Sequence, residues 1–135
     1  MEVRQRALVA AHHAGWARLQ ILLDPVVDTV PVHTMKDAVE TLDRERIDLI
    51  ICTFAFDESR MIEFLQAVKS RGPGGAIPFI CCRALRGVLS DRTIQTTAKV
   101  CLQCGAATFV DIADLEPDKA QSVLKSAVTA YLPRR

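Results

Sequence analysis

Asp48-Leu49-Ile50-Ile51-Cys52-Thr53 is the stretch on which the fold turns. After Asp48 it carries no charge, and four consecutive positions are apolar. A strand wetted on one face alternates polar and apolar residues. A strand covered on both faces reads as a continuous apolar run, which is the habit of parallel sheets. Outward from this stretch the same pattern repeats. Ala7–Ala11 (ALVAA), Ala76–Cys82 (AIPFICC) and Ala107–Ile112 (ATFVDI) read as strands. Thr29–His33 (TVPVH) is a weaker one, and its Pro31 lacks an N–H and suits a sheet edge.

Helical patterns separate these runs. Gly15–Leu23 places Trp16, Leu19, Leu22 and Leu23 at helical spacing, and Asp24-Pro25 ends it. Thr34 caps a helix over Met35–Glu45, with Asp37 in the first turn and Ala38, Val39 and Leu42 turned inward. Ser59–Ser70 carries Met61, Ile62, Leu65 and Val68 as a stripe. Ser90 or Asp91 starts a helix that reaches about Cys104, with Gly105 as its C-terminal cap. Asp114 caps the last helix, which has Pro117 near its start and ends near Leu132. Gly72-Pro73-Gly74-Gly75 is a break that precedes a strand, so it is not a phosphate-binding loop. Five strands alternate strictly with five helices. Crossovers between parallel strands are right-handed, so the compact solution is an α/β, doubly wound, three-layer fold. Its five-stranded parallel sheet has the flavodoxin-like order 2-1-3-4-5, and ligands meet such sheets at the carboxyl ends of the strands.

Composition narrows the function. The 135 residues make one domain, with a core from about residue 6 to 132. Lys and Arg total 17 against 16 Asp and Glu, and this balance argues against nucleic-acid binding and against a polybasic membrane surface. No stretch approaches the roughly 20 apolar residues of a transmembrane helix. Arg4 and Arg6 precede an apolar run that meets His12-His13 too soon for a signal peptide, so a cytoplasmic protein is expected. Five cysteines, an odd number, argue against a disulfide framework. Cys101-Leu102-Gln103-Cys104 sits at the end of a helix, where the dipole disfavours a thiolate, so it reads as core rather than redox chemistry. Zinc would need a second pair, and the adjacent Cys81-Cys82 chelate poorly. Arg44-Glu45-Arg46 and the terminal Arg134-Arg135 read as solvated charge clusters.

The order and spacing of several local patterns resemble the receiver domain of two-component response regulators (CheY-like), over about Arg6 to Leu132. Asp48–Thr53 looks like the receiver pattern ending in the phospho-acceptor, and Phe64-Leu65 falls where receivers carry paired leucines. Ile77-Pro78-Phe79-Ile80 looks like the start of the fourth strand, and Gly105-Ala106-Ala107-Thr108-Phe109-Val110 like the approach to the fifth. The resemblance implies an aspartate acceptor after the third strand and two acidic residues holding Mg²⁺ after the first. It also implies a Ser/Thr after the fourth strand and a Lys after the fifth. The acceptor position falls on Thr53, the acidic pair on Ala11 and His12, the Ser/Thr on Arg83 and the Lys on Ile112. The switch aromatic falls on Phe109, which has no hydroxyl. The Pro and Gly of the loop after strand three fall on Asp57 and Met61. A threonine cannot form an acyl phosphate, and neutral histidine suits Mg²⁺ poorly. Five concurrent losses on an intact scaffold read as a degenerate receiver, a pseudo-receiver with no catalytic residue, no metal and no cofactor.

The expectation is therefore a stand-alone signalling module that is not an enzyme. It would dock a histidine kinase, another regulator or a second copy through the face of the fourth helix, fifth strand and fifth helix. The segment from Arg83 to Gly105 looks several residues longer than in receivers, which implies a remodelled interface. One alternative is a small-ligand or anion sensor using a strand-end crevice of His12, His13, Thr53 and Arg83. Against it, Arg83 could simply pair with Asp57, Glu58 or Asp111. A transition metal on His12-His13 would need a third ligand. Phe54, Phe56 and Met61 are either an apolar patch or a seal over the sheet. A second alternative is an active receiver with a displaced acceptor, Asp57 or Asp48.

Overall fold

The structure, a computed structural model, describes residues 4–87 and 89–133, so the Arg134-Arg135 pair lies outside the described residues. The elements follow in the order β1 (Arg6–Ala10), α1 (His13–Leu23), β2 (Asp28–Val32), α2 (Met35–Arg44), β3 (Leu49–Thr53), α3 (Met61–Lys69), β4 (Phe79–Arg83), α4 (Asp91–Gln103), β5 (Thr108–Asp111) and α5 (Pro117–Tyr131). The sheet order is β2-β1-β3-β4-β5, and every neighbouring pair is parallel. All five residues of β3 and of β4 are buried. Pro31 lies on β2, an edge strand, as its missing N–H requires.

Side chains alternate between two cores. Val9, Ile51, Ile80 and Val110 pack under α1 and α5 with Leu19, Leu23, Leu124 and Val128. Leu8, Ile50, Cys52, Phe79 and Cys81 face α2, α3 and α4. Phe56, Phe64 and Phe79 form a tilted aromatic row in that second core, with centroids 5.3 and 5.6 Å apart. Aromatic pairs at this spacing add to the burial itself. All five cysteines are free thiols. Cys101 is buried in the core, and Cys104 is half-buried. A hydrogen bond to Cys101 and burial hold the Cys81 thiol far above its ordinary value, and burial pushes Cys82 up to about 12.

Several boundaries differ from the sequence expectation. β1 and β2 each start and end one residue early, because Arg6 and Asp28 are register partners. β4 starts at Phe79 rather than Ala76, since Pro73–Ala76 coils into a 3-10 turn. α3 starts at Met61 rather than Ser59, because Ser59 has φ +65°. α5 starts behind Glu116 rather than Asp114, whose carboxylate is engaged by Arg86 and Arg83 instead. The caps read from sequence are otherwise in place. Thr34 Oγ1 accepts from the Asp37 N–H at 3.1 Å, and Ser90 Oγ from the Thr93 N–H at 3.2 Å. In the charge cluster, Glu45 pairs with Arg6 at 2.6 Å and Arg46 with Asp48 at 3.5 Å.

Gly105, just past α4, has φ +104°, and a Cβ there would stand 3.3 Å from Lys69 Cγ. Lys69 in turn donates to the Gly75 and Ile77 carbonyls, tying α3 to the chain that enters β4. Gly105→Ala is expected to destabilise the fold by about 1–2 kcal/mol, from backbone strain plus displacement of Lys69. Urea unfolding should show a lower midpoint with an unchanged slope.

Candidate functional site

The carboxyl ends of the strands meet at one edge of the molecule. After β1, Ala11 is fully buried. Its N–H donates to the Val32 carbonyl at 3.1 Å, and its own carbonyl accepts from His33 Nδ1 at 2.7 Å. His12 is exposed and caps α1, its Nδ1 accepting from the Ala14 N–H at 3.3 Å. His13 turns away and stacks on His33 with centroids 3.9 Å apart.

After β3, Thr53 is 3 % exposed, and its Oγ1 has no hydrogen-bond partner among the described residues. The chain beyond it is strained. Asp57, Glu58 and Ser59 have φ of +42°, +57° and +65° in succession. Left-handed non-glycine residues are uncommon singly and concentrate at functional sites. Something must hold this run, and part of the answer is Asp57, whose Oδ2 accepts from the Met35 N–H at 2.8 Å at the start of α2. The carboxylate suits the positive end of that helix. Phe56 and Met61 are buried and seal the core, whereas Phe54 is half-buried against Phe109, at 5.4 Å between centroids.

Three arginines gather around the ends of β4 and β5. Arg83 is 7 % exposed, and its Nη1 lies 3.2 Å from both oxygens of Asp111 and 3.6 Å from Asp114 Oδ2. Arg86 also pairs with Asp114. So the partner of Arg83 is Asp111, one of the three anticipated, joined by Asp114. Arg18, on α1, was not anticipated. It donates to the carbonyls of Ala84, Ile112 and Leu115, each at 2.7 Å. One planar guanidinium thus binds three backbone acceptors where two strands and a loop converge. Ile112 is fully buried beneath α1 and α5.

Between these parts runs a cleft of about 590 Å³. His12, Thr53 and Arg83 line it; Ala11, His13, Phe109 and Ile112 do not. Its remaining wall is mostly apolar and includes Phe54, Met61, Ile62, Leu85 and Leu89. Thr93 and Thr97 of α4 complete it. The residues at the expected Mg²⁺ position do not fit that ion. Ala11 has no side-chain ligand atom and its carbonyl is engaged, His12 uses Nδ1 as a cap, and Asp57 is engaged at α2. Asp48 precedes β3, at the opposite end of the sheet, where it accepts from the Arg6 N–H at 2.9 Å. Among the described residues no three His, Cys, Asp or Glu side chains converge to hold a metal.

Two outcomes follow from this geometry. Thr53→Val removes an unpartnered buried hydroxyl at constant shape, so it is expected to stabilise the fold by about 1 kcal/mol in urea unfolding. The Arg86 hydrogen bond holds the Asp114 carboxyl below the usual carboxylate range, with Arg83 adding to the effect. A depressed value in the folded state means that the contribution is present above the unfolded value and lost as pH falls through the folded one. Carboxyl NMR should therefore place the Asp114 midpoint below an ordinary aspartate, and Arg86→Ala should raise it.

No family model matches the chain, and no curated protein matches it by sequence. Solved structures do match it in shape. The phosphorylated cyanobacterial phytochrome response regulator RcpA superposes with TM-score 0.76 at 13 % identity, covering 98 % of this chain and 100 % of that one. A response regulator from Hahella chejuensis gives 0.74 at 20 % identity, covering 95 % of each chain. The receiver domain of the sensor histidine kinase PA1611 from Pseudomonas aeruginosa PAO1, with magnesium coordinated in its active-site cleft, gives 0.67 at 16 % identity, over 94 % and 99 %. At these identities the likeness speaks for the fold, and this chain has the fold of the response regulator receiver domains, CheY-like, with sheet order 2-1-3-4-5.

Proposed function

We propose that this chain is a pseudo-receiver, a phosphorylation-independent protein-interaction and regulatory module of bacterial two-component-type signalling, without a catalytic step of its own. The observation that carries the reading is the strand-end cleft. Among the described residues that line it, none is Asp or Glu. Phosphoryl transfer to a receiver needs a carboxylate acceptor and a metal to neutralise the developing charge. The chain offers a buried threonine and a paired arginine at those places.

The partner would be a histidine kinase, another regulator or a second copy, docking on the face of α4, β5 and α5. β5 is a sheet edge, so its outer side has no neighbouring strand. Leu102 on α4 is 51 % exposed, and Tyr131 near the end of α5 is 37 % exposed. Apolar groups left in water beside an edge strand support a contact surface. No helix among the described residues is long and apolar enough to cross a membrane.

An amide NMR titration with Mg²⁺, then with Mg²⁺ and beryllofluoride as an acyl-phosphate mimic, tests the reading. No saturable shift is expected at Ala11, Thr53 or Arg83. Saturable shifts there that spread to Phe109 and α4 would instead mean a working phospho-switch.

A further inference from the structure

We infer that the strand-end cleft binds a small, neutral, largely apolar molecule that carries one carbonyl-type hydrogen-bond acceptor. The inference rests on the pseudo-receiver reading of the same site, and it names the input that would take the place of a phosphoryl group.

Size is the first ground. About 590 Å³ falls within the range of small-molecule sites, roughly 300–1,000 Å³. The wall is the second. Phe54, Ile62, Leu85 and Leu89 present apolar surface to the cleft, and Leu85 and Leu89 remain 42 % and 44 % exposed. An apolar body laid between them would remove that surface from water. The third ground is Thr53, more than nine-tenths buried, on the cleft wall, with an unpartnered hydroxyl. Buried hydroxyls in folded proteins nearly always have a partner. Its methyl faces Gly15, another residue of the cleft wall, 3.8 Å from where a Cβ on that glycine would stand. A turn of about 120° about Cα–Cβ that carries the hydroxyl into the methyl's place, and the methyl into the hydrogen's, would offer the hydroxyl to an acceptor there without backbone movement.

Charge selects the ligand class. Arg83 and Arg86 are offset by Asp111 and Asp114, which contact them directly. An anion would have to compete with two carboxylates already seated, and a cation would face Arg83. A neutral acceptor satisfies Thr53 and disturbs neither pair.

The test uses two probes with the same phenylethyl body, 4-phenylbutan-2-one and 3-phenylpropanoate, titrated into the isotope-labelled chain. The ketone should give saturable amide shifts centred on Thr53, Leu89 and Thr93, with half-saturation at about 1 mM, as befits a fragment of its size. The carboxylate should bind several-fold more weakly. Thr53→Val should weaken ketone binding about fivefold to tenfold. That variant is expected to fold at least as stably, so lost binding cannot be read as lost structure. Three outcomes would each overturn the inference: no saturable shift with the ketone, equal affinity in Thr53→Val, or tighter binding of the carboxylate. The beryllofluoride titration separates the two readings. A silent ketone with silent beryllofluoride removes the ligand and leaves the pseudo-receiver standing, whereas a beryllofluoride response removes the pseudo-receiver itself.

Discussion

A central strand with no exposed residue sets the terms for everything else in this molecule. β3 buries all five of its residues, so helices must cover both of its faces. That requires crossovers on each side of the sheet, and right-handed crossovers then order the strands as observed. α1 and α5 cover one face, and α2, α3 and α4 the other. The same arrangement points all five strands in one direction, so their carboxyl ends share one edge. Residues that follow β1, β3 and β4 line the cleft at that edge.

What sits at that edge differs in kind from an acidic phosphorylation pocket. Such a pocket holds uncompensated negative charge until a metal arrives. Here arginines take the leading positions, and each is engaged. Arg18 joins the ends of β4 and β5 through three carbonyls, work that no acidic residue could do. Arg83 is almost buried, a position an arginine tolerates only when paired, and Asp111 and Asp114 supply the pairing. Removing Asp111 alone would leave Arg83 with only the longer contact to Asp114, so these residues behave as one unit.

Local signals in the sequence were sufficient for much of the fold. Thr34, Ser90 and Gly105 were readable because a cap depends on its immediate neighbours. Pro31 was readable because a missing N–H excludes a central strand. The start of α5 was not, since Asp114 looks like a cap and is drawn off by Arg86, 28 residues earlier in the chain. Arg18 was invisible for a similar reason. Its acceptors lie 66 to 97 residues away, and nothing beside Trp16 and Leu19 marks an arginine that binds carbonyls. The left-handed run Asp57–Ser59 also escaped, because none of the three is glycine. Ala11, Thr53 and Arg83 were placed at the strand ends by resemblance, and their roles emerged only from contacts.

The strained loop and the apolar cleft bear on each other. Three left-handed residues in a row lie between Phe54, on the cleft wall, and Met61, in the core. Phe54 also packs on Phe109, which lies on the edge strand between α4 and α5. A receiver's aromatic switch responds by moving a hydroxyl between hydrogen-bonded states. Phe109 has none, so it can respond only by packing. Its neighbour Phe54 is a side chain that an occupant of the cleft would touch. Both rings are half-buried, so a displacement of Phe54 would change its contact with Phe109. Phe54 on the cleft wall and Phe109 on the edge strand thus meet in one aromatic contact, made of dispersion and shape.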